Sequence, residues 1–379
     1  MANKSIKFFD LRAQYLTIKN EVLNGITKTL EESSFILGNE VYTLEAQLAK
    51  KINANYCITC GNGTDALQIA LMALDLRKGD EVIIPAFTYI SPLEAAAILK
   101  IKPVFVDVDI STFNMDLEKC AEQINPSTKV VLPVHLFGNP VNIHSLKHLI
   151  PSKNIYIIED NAQSLGSYYY HNSVKYMTGA LADIGTTSFF PTKILGCYGD
   201  GGAIFCNDRE LSQKLKMIAR HGQKDKYIHE MIGVNSRLDT IQATILISKL
   251  NHIEQYIDKR IQVAQFYNNQ LNNIEFITTP QKSIEANHCY HQYTLRIKEN
   301  RRDKLKNYLL KHGIETMVYY PLPLHLQPGY KFLGYKKGDF PISEQLCNEL
   351  LSLPIYPEIP MADLEYICEK IQRFASEKS

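Results

Sequence analysis

Thr187-Ser188-Phe189-Phe190-Pro191-Thr192-Lys193-Ile194-Leu195-Gly196-Cys197-Tyr198-Gly199-Asp200-Gly201-Gly202 is the stretch of this chain richest in groups that could do chemistry. A β-prone run delivers one lysine, and four glycines follow within seven residues, which suits neither a strand nor a helix interior. A lysine partly desolvated beside aromatic rings loses basicity, and its neutral amine can condense with an aldehyde to a Schiff base. The glycines would let backbone approach a flat or anionic ligand. The plainer reading is a solvated lysine followed by turns, and this stretch alone favours neither.

A second feature is Asn154-Ile155-Tyr156-Ile157-Ile158-Glu159-Asp160, an apolar β-branched run that ends in two carboxylates. In an open α/β sheet, ligands sit beyond the carboxyl ends of the strands, so Asp160 would share a crevice with the lysine loop. A lysine for an aldehyde and a carboxylate for a ring nitrogen are the two protein groups that pyridoxal phosphate requires. The carboxylate keeps the pyridine nitrogen protonated through a charge-assisted hydrogen bond, so the ring can accept electrons when a Cα–H bond breaks.

A third is Cys60-Gly61-Asn62-Gly63-Thr64-Asp65, which opens a helix with Leu67, Ala70, Leu71 and Leu74 on one face. Thr64 or Asp65 is the expected N-cap, and the free first amides with the helix dipole would suit a phosphate, at about 0.3–1 kcal/mol for the dipole. A plain capped helix is the simpler alternative. The stretch also fits the loose G-x-G-x-x-A dinucleotide fingerprint, but the next strand runs into Pro85-Ala86-Phe87-Thr88-Tyr89 without the ribose-binding acid, which argues against a nicotinamide site.

These groups need a scaffold, and the hydrophobic pattern describes one. Helix-period positions fill residues 7–50, with a break near Ser33-Ser34 and Gly38. Strands are then expected over 56–59, 81–84, 103–106, 129–136, 154–158, 186–190 and 203–206, with helices at 92–99, 117–124 and 143–150 between them. This rhythm implies an α/β fold with a mostly parallel seven-stranded sheet covered on both faces. A helix at 209–219 and one long helix over 240–271 follow. Strands at 275–279, 290–297 and 316–320 and helices at 302–311, 343–351 and 362–374 read as a smaller α+β domain. The expected division is 1–254 for a large domain with an N-terminal helical arm and 255–379 for the small one.

Composition narrows the function classes. The 379 residues are 45% hydrophobic and 21% charged, with a net charge of +1, so there is no ground to expect nucleic acid or membrane as a partner. Eight scattered cysteines lack a disulfide framework, which suits a reducing cytoplasm. Cys57 and Cys60 form a C-x-x-C, yet they lie in an apparent strand without a second pair or a nearby histidine, so no metal is expected. No apolar run reaches the length of a membrane span.

Taken together, the motifs resemble the fold-type I pyridoxal-phosphate enzymes, and within them the DegT/StrS group of nucleotide-sugar aminotransferases. The resemblance covers essentially the whole chain. It is carried by Gly61-Asn62-Gly63-Thr64-Asp65-Ala66-Leu67, Pro85-Ala86-Phe87-Thr88-Tyr89, Glu159-Asp160-Asn161-Ala162-Gln163, Ser188-Phe189-Phe190-Pro191-Thr192-Lys193, Gly233-Val234-Asn235-Ser236-Arg237 and Tyr320-Pro321-Leu322-Pro323-Leu324-His325, in the family's order. Each is weak alone, and together they are specific.

The resemblance implies roles. Lys193 is the Schiff-base lysine and the base that moves the proton. Asp160 pairs with the pyridinium, Gln163 lies near the phenolic oxygen, and Tyr89 stacks on the ring. Thr64, Asp65 and Ser188 bind the phosphate, and Asn235 reaches the phosphate of the neighbouring subunit's cofactor, which implies a homodimer with shared sites. Arg237, Tyr320 and His325 stand at the substrate end, although an arginine before a helix can also pair locally. Asn161 stands where many members have a small residue. A family branch that dehydrates sugars has histidine in place of the lysine, so transamination is favoured here. The motifs look most like enzymes that aminate UDP-2-acetamido-3-keto-glucuronate with L-glutamate as donor, in the setting of bacterial surface polysaccharide such as O-antigen. The alternatives are a dTDP- or GDP-keto-6-deoxyhexose aminotransferase and a non-catalytic sugar-nucleotide-binding regulator.

Overall fold

The computed structural model describes residues 5–150, 154–281 and 285–377. Two helices open it, α1 (Leu11–Glu31) and α2 (Asn39–Ile52). In α2 the residues Val41, Leu44, Leu48 and Ile52 recur at three and four positions, so one face is apolar and buried. Asn53 ends it at φ 61°, donating its N–H to the carbonyls of Ala49 and Lys50.

Strand and helix then alternate. The order is β1 (Tyr56–Cys60), α3 (Gly63–Met72), β2 (Glu81–Pro85), α4 (Ser91–Ile98), β3 (Lys102–Val106), α5 (Leu117–Gln123), β4 (Thr128–Val131), α6 (Ile143–Leu149) and β5 (Tyr156–Asp160). A hairpin of β6 (Tyr168–His171) and β7 (Val174–Met177) intervenes before β8 (Ile184–Ser188) and β9 (Gly202–Cys206). Seven of these strands form one sheet in the order β1-β9-β8-β5-β4-β2-β3. Only β9 runs against the direction of the other six strands, so the expected mostly parallel seven-stranded sheet is the one found. Alternate residues serve opposite faces: Val82 and Ile84 join one apolar core while Ile83 joins another, and Ile204 is divided in the same way from Ala203 and Phe205. Both faces being covered explains why β2 and β9 are buried from end to end.

The rest of the chain comprises α7 (Arg209–Ile218), a short hairpin of β10 (Gln223–Asp225) and β11 (Ile228–His229), α8 (Thr240–Leu250) and α9 (Ile253–Leu271). Then come β12 (Ile277–Thr278), β13 (Ala286–Asn287), β14 (Tyr293–Ile297), α10 (Arg302–Lys311), α11 (Pro341–Glu349), β15 (Leu350–Leu353) and α12 (Met361–Ser376). A separate apolar core gathers Tyr267, Tyr293, Leu295, Leu305, Leu351, Leu353, Ile367 and Ile371 around the sheet β12-β14-β15, and Ile6 reaches it from the other end of the chain.

Several expectations are corrected. The single helix over 240–271 is two, because His252 leaves helical geometry (φ −108°, ψ 1°) where the chain changes partners from α1 and α2 to α12. The strand expected over 129–136 stops at Val131; Pro133 has no N–H to offer a ladder, and Phe137 turns at φ 58°. The helix expected through Leu351 ends at Glu349, where Leu350 becomes extended to pair β15 with β14. Residues 316–320 make one bridge, Met317 to Ser352, rather than a strand, since Pro321 and Pro323 follow at once. The hairpin β6–β7 was not anticipated. It is partly exposed and rich in tyrosine, so it lacks the apolar alternation of a core strand.

Gly185 in β8 offers a direct test of this packing, because a methyl group there would lie 1.9 Å from the carbonyl oxygen of Gly179. Gly185→Ala is expected to destabilise the protein by at least the ~1–3 kcal/mol of ordinary overpacking. Gly329→Ala, which meets nothing within 4 Å, is expected to stay within about 0.5 kcal/mol of the parent in denaturant unfolding.

Candidate active site

The carboxyl ends of β2, β4, β5 and β8 open onto one cavity of about 550 Å³, closed on one side by the first turn of α3. Its lining includes Thr64, Tyr89, Asp160, Gln163, Ser188, Lys193 and Tyr320. Those seven residues span more than 250 positions of sequence, and the sheet brings them together.

Lys193 follows β8 on a tightly folded loop. Its backbone N–H donates to Phe190 O at 2.9 Å, and Phe189 and Cys197 cross-link the loop through Phe189 N to Gly201 O (2.7 Å) and Cys197 N to Phe189 O (2.8 Å). Gly196 is required here, since a methyl group would lie 2.4 Å from Pro191 O. The ammonium group of Lys249, buried and pushed down to about 8 by its burial, donates to Gly196 O at 2.6 Å and clasps the loop from α8. The amine of Lys193 itself makes no hydrogen bond or ion pair with a described residue. Burial among protein atoms pushes it down to about 8, against the opposing pull of the Asp160 carboxylate.

Asp160 ends β5 and is buried. Burial raises its carboxyl group, while the N–H of Ala162, donated to Oδ1 at 3.0 Å, and the charge of Lys193 act in the other direction. Its neighbour Glu159 points to the opposite face and is fully satisfied. Glu159 accepts hydrogen bonds from the N–H groups of Gly179 (2.9 Å), Leu181 (2.8 Å) and Ala182 (2.8 Å), and from His135 Nε2 (2.9 Å). The tautomer of His135 follows, since its Nδ1 accepts from Val141 N and Nε2 must carry the proton. Burial alone would raise Glu159, yet these donors hold it below its ordinary value.

Gln163 is oriented at both ends of its amide: Oε1 accepts from Phe137 N at 2.8 Å, and Nε2 donates to the Tyr320 hydroxyl at 3.1 Å. Tyr89, exposed at the mouth, tilts toward Tyr320 with ring centroids 6.2 Å apart. At the other end the helix α3 is capped by Asn62, not by Thr64 or Asp65 as expected. The Asn62 Oδ1 accepts from Asp65 N at 2.8 Å, and its carbonyl accepts from Ala66 N. The amides of Gly63 and Thr64 bond to no other described residue, and Gly63 lies against Ser188. Gly63 admits no larger residue, since a methyl group would lie 2.7 Å from Ser188 Cβ.

Four expected residues are not in the cavity lining. The amide of Asp65 is taken by Asn62, and its carboxylate accepts the Ser236 hydroxyl at 2.6 Å, so it ties α3 to the 233–237 loop. Ser236 points inward, which leaves Asn235 exposed and away from the cavity of its own chain. Arg237 is half-buried nearby, without an ion pair to a described residue. His325 is buried and its Nε2 faces Glu344 Oε1 at 3.1 Å, so it braces α11 rather than the cavity. Asn161 donates to Thr178 O at 3.1 Å and also faces away. Conversely, His291, Gln292, Phe137, Asp200 and Tyr319 line the cavity without having been anticipated. The His291-Gln292 pair lies in the Cys289-Tyr290-His291-Gln292 run, where two adjacent polar residues interrupt the approach to a β strand, the one signal the sequence offered.

The residues present fit a flat, anionic aldehyde such as pyridoxal phosphate. An unbonded amine of lowered basicity and a buried carboxylate face the same space, and the first turn of α3 and the Ser188 hydroxyl line it too.

Comparisons with known proteins agree with this geometry. A sequence model of the DegT/DnrJ/EryC1/StrS aminotransferase family matches residues 16–372. The chain is 42% identical over 363 residues to the UDP-2-acetamido-2-deoxy-3-oxo-D-glucuronate aminotransferase of Pseudomonas aeruginosa, covering 96% of this chain and 98% of that one. It is 41% identical over 372 residues to a protein of Geobacillus stearothermophilus named a pleiotropic regulatory protein, covering 98% of each. Among solved structures, S. venezuelae DesV superposes with a TM-score of 0.95 at 33% identity, over 99% of this chain and 100% of that one.

An amine lowered to about 8 is about one-tenth neutral at pH 7, against about one in three thousand for an ordinary lysine. The apoprotein is therefore expected to capture pyridoxal phosphate faster as pH rises, with a plateau above about 8. Stopped-flow absorbance read across pH 6–10, roughly two units either side, checks this; a rise continuing to 10 would place the amine in water.

Proposed function

The chain belongs to the DegT/DnrJ/EryC1/StrS aminotransferase family, and from that membership we propose that it transfers the amino group of L-glutamate to the 3-keto carbon of a UDP-linked N-acetylated hexuronate. The setting we infer is the cytoplasmic synthesis of a bacterial surface polysaccharide such as O-antigen. Among the described residues no helix is long and apolar enough to cross a membrane. The observation that carries the reading is the shared cavity of Lys193 and Asp160, with the amine of Lys193 unbonded and lowered.

Pyridoxal phosphate, the cofactor of this family, supplies an aldehyde that takes amines covalently and a cationic ring that accepts electrons. Lys193 Nζ would hold that aldehyde and, once an incoming amine displaces it as the free amine, would hold and move the proton at the reacting carbon, a positioned acid–base role worth typically ~10²–10⁴-fold. Asp160 keeps the ring nitrogen protonated. Gln163, its amide fixed by Phe137 and Tyr320, keeps a second N–H for the ring's oxygen. Tyr89 covers the ring, while Thr64 and Ser188 with the α3 amides hold the phosphate. Tyr320 stands where the substrate enters.

We further propose that the working unit is a homodimer with shared sites. Asn235 is exposed and does not line the cavity of its own chain, which leaves it available to a second copy. The name of the Geobacillus relative brings back the regulator reading. Lys193 and Asp160, both retained and both facing the cavity, favour catalysis.

Purified protein is expected to show the visible absorption of lysine-bound cofactor, which L-glutamate alone bleaches. Lys193→Ala is expected to stay folded and lose turnover by at least ~10²-fold. Assay against a panel of UDP-, dTDP- and GDP-linked 3-keto and 4-keto sugars identifies the acceptor, and no turnover with any of them would favour the regulator. Mixing Lys193→Ala and Asn235→Ala chains under exchange conditions tests the shared site: recovered activity, one intact site per mixed dimer, is expected, and none means that Asn235 serves its own chain.

A further inference from the structure

His291 and Gln292 form part of the cavity wall, and each is only 4% exposed. Neither imidazole nitrogen of His291 bonds to a described residue, and Nδ1 is wholly enclosed. Gln292 engages through its backbone, donating its N–H to Phe137 O at 3.3 Å, while its side-chain Oε1 is enclosed without a donor. Their segment is pinned from outside: Cys289 N donates to Gly138 O at 3.2 Å and to Ser167 Oγ at 3.1 Å. Gly138, at φ 97°, is closed on by the same segment, since a methyl group there would lie 2.6 Å from Cys289 Sγ and 3.0 Å from His291 N. Two adjacent polar side chains thus enclose atoms with no partner among the described residues, which is costly unless a ligand completes them. Gln292 also borders a crevice of about 10 Å³, room for about one water. His291 borders the cavity and not that crevice.

The chemistry of the missing partner can be read from the pair. Burial first, and then the charge of Lys193, hold the imidazole well below its ordinary value, so it is neutral and offers one N–H and one lone pair. The Gln292 amide likewise offers both a donor and an acceptor. A carboxylate can only accept, and is best met by an arginine fork; no arginine lines this cavity. A hydroxyl or an acylamino group donates and accepts, and sugars carry both. His291 and Lys193 line the same cavity, which sets the contact on the part of the substrate that reaches the amine.

Resting on the aminotransferase reading above, we propose that His291, with Gln292 beside it, recognises the hydroxyl or acylamino group on the sugar carbon next to the reacting carbonyl, and so serves the keto sugar and not the amino donor.

The two half-reactions of the holoenzyme, followed separately by visible absorption, test this. His291→Phe is expected to leave the glutamate half-reaction within about threefold of the parent, and to lower kcat/KM for the keto sugar by about 10- to 100-fold. His291→Asn is expected to recover part of the loss, and Gln292→Leu to repeat the pattern more weakly. A sugar lacking that neighbouring substituent should be used about equally by parent and His291→Phe. Equal loss in both half-reactions, or an unchanged sugar step, overturns the proposal; should His291→Phe fail to load cofactor, the comparison of Gln292→Leu with the parent decides by the same criterion. Parent protein inert toward every keto sugar would instead overturn the substrate reading, and this proposal with it, before any substitution is made.

Discussion

Two consecutive carboxylates end β5, and a strand must point them to opposite faces of its sheet. The site depends on their being treated differently. Glu159 is paired within the protein, by three backbone N–H groups and by His135, so its charge is satisfied although no part of it meets water. Asp160 receives one N–H and otherwise faces the cavity. The first carboxylate is architecture and the second is left over for a ligand. The loop that supplies the Glu159 donors also presses against β8, where Gly179 O leaves no room for a side chain at Gly185. The strand carrying Asp160 and the strand leading to Lys193 are therefore locked to each other by the same contact.

The lysine is handled by the same logic. Its loop is closed by backbone hydrogen bonds and by the Lys249 ammonium on Gly196 O, so that the backbone is held while the Lys193 amine is not. An amine with no partner in a buried place is strained toward its neutral form, and that is the form that reacts with an aldehyde. Lys249 is lowered as well, yet its amine is occupied by a carbonyl and lies over the Tyr198 ring. Burial lowers both, and only the availability of the amine separates a reactive lysine from a structural one.

Much of this was legible beforehand. The alternation of apolar runs placed all seven strands of the main sheet, with only the end of β4 misjudged by more than a few residues, because their largely buried, β-prone runs stand out from the helices between them. Lys193, Asp160, Gln163, Tyr89, Thr64, Ser188 and Tyr320 all reach one cavity, since each follows or ends an element of that sheet or lies against it. The helix expected over 240–271 followed local pattern, while its break at His252 was set by a change of packing neighbours; the residues to which the resemblance gave ligand roles, Asp65 and His325, meet distant partners in this structure, Ser236 and Glu344. Residues 350–353 became a strand only because β14 was there to pair with.

By itself the sequence determined the α/β rhythm, the lysine and carboxylate that name the chemistry, and the family, because those depend on short-range periodicity and on motifs that keep their order along the chain. Only the tertiary structure decided which polar groups stay unpaired. Asn62 rather than Thr64 caps α3, Glu159 is satisfied while Asp160 is not, and His291 with Gln292 is carried to the cavity by Cys289 pairing with Gly138, some 150 residues earlier in the chain. Whether a polar group is free depends on every donor and acceptor around it, and those neighbours come from elements far apart in sequence, so no local pattern can record the outcome.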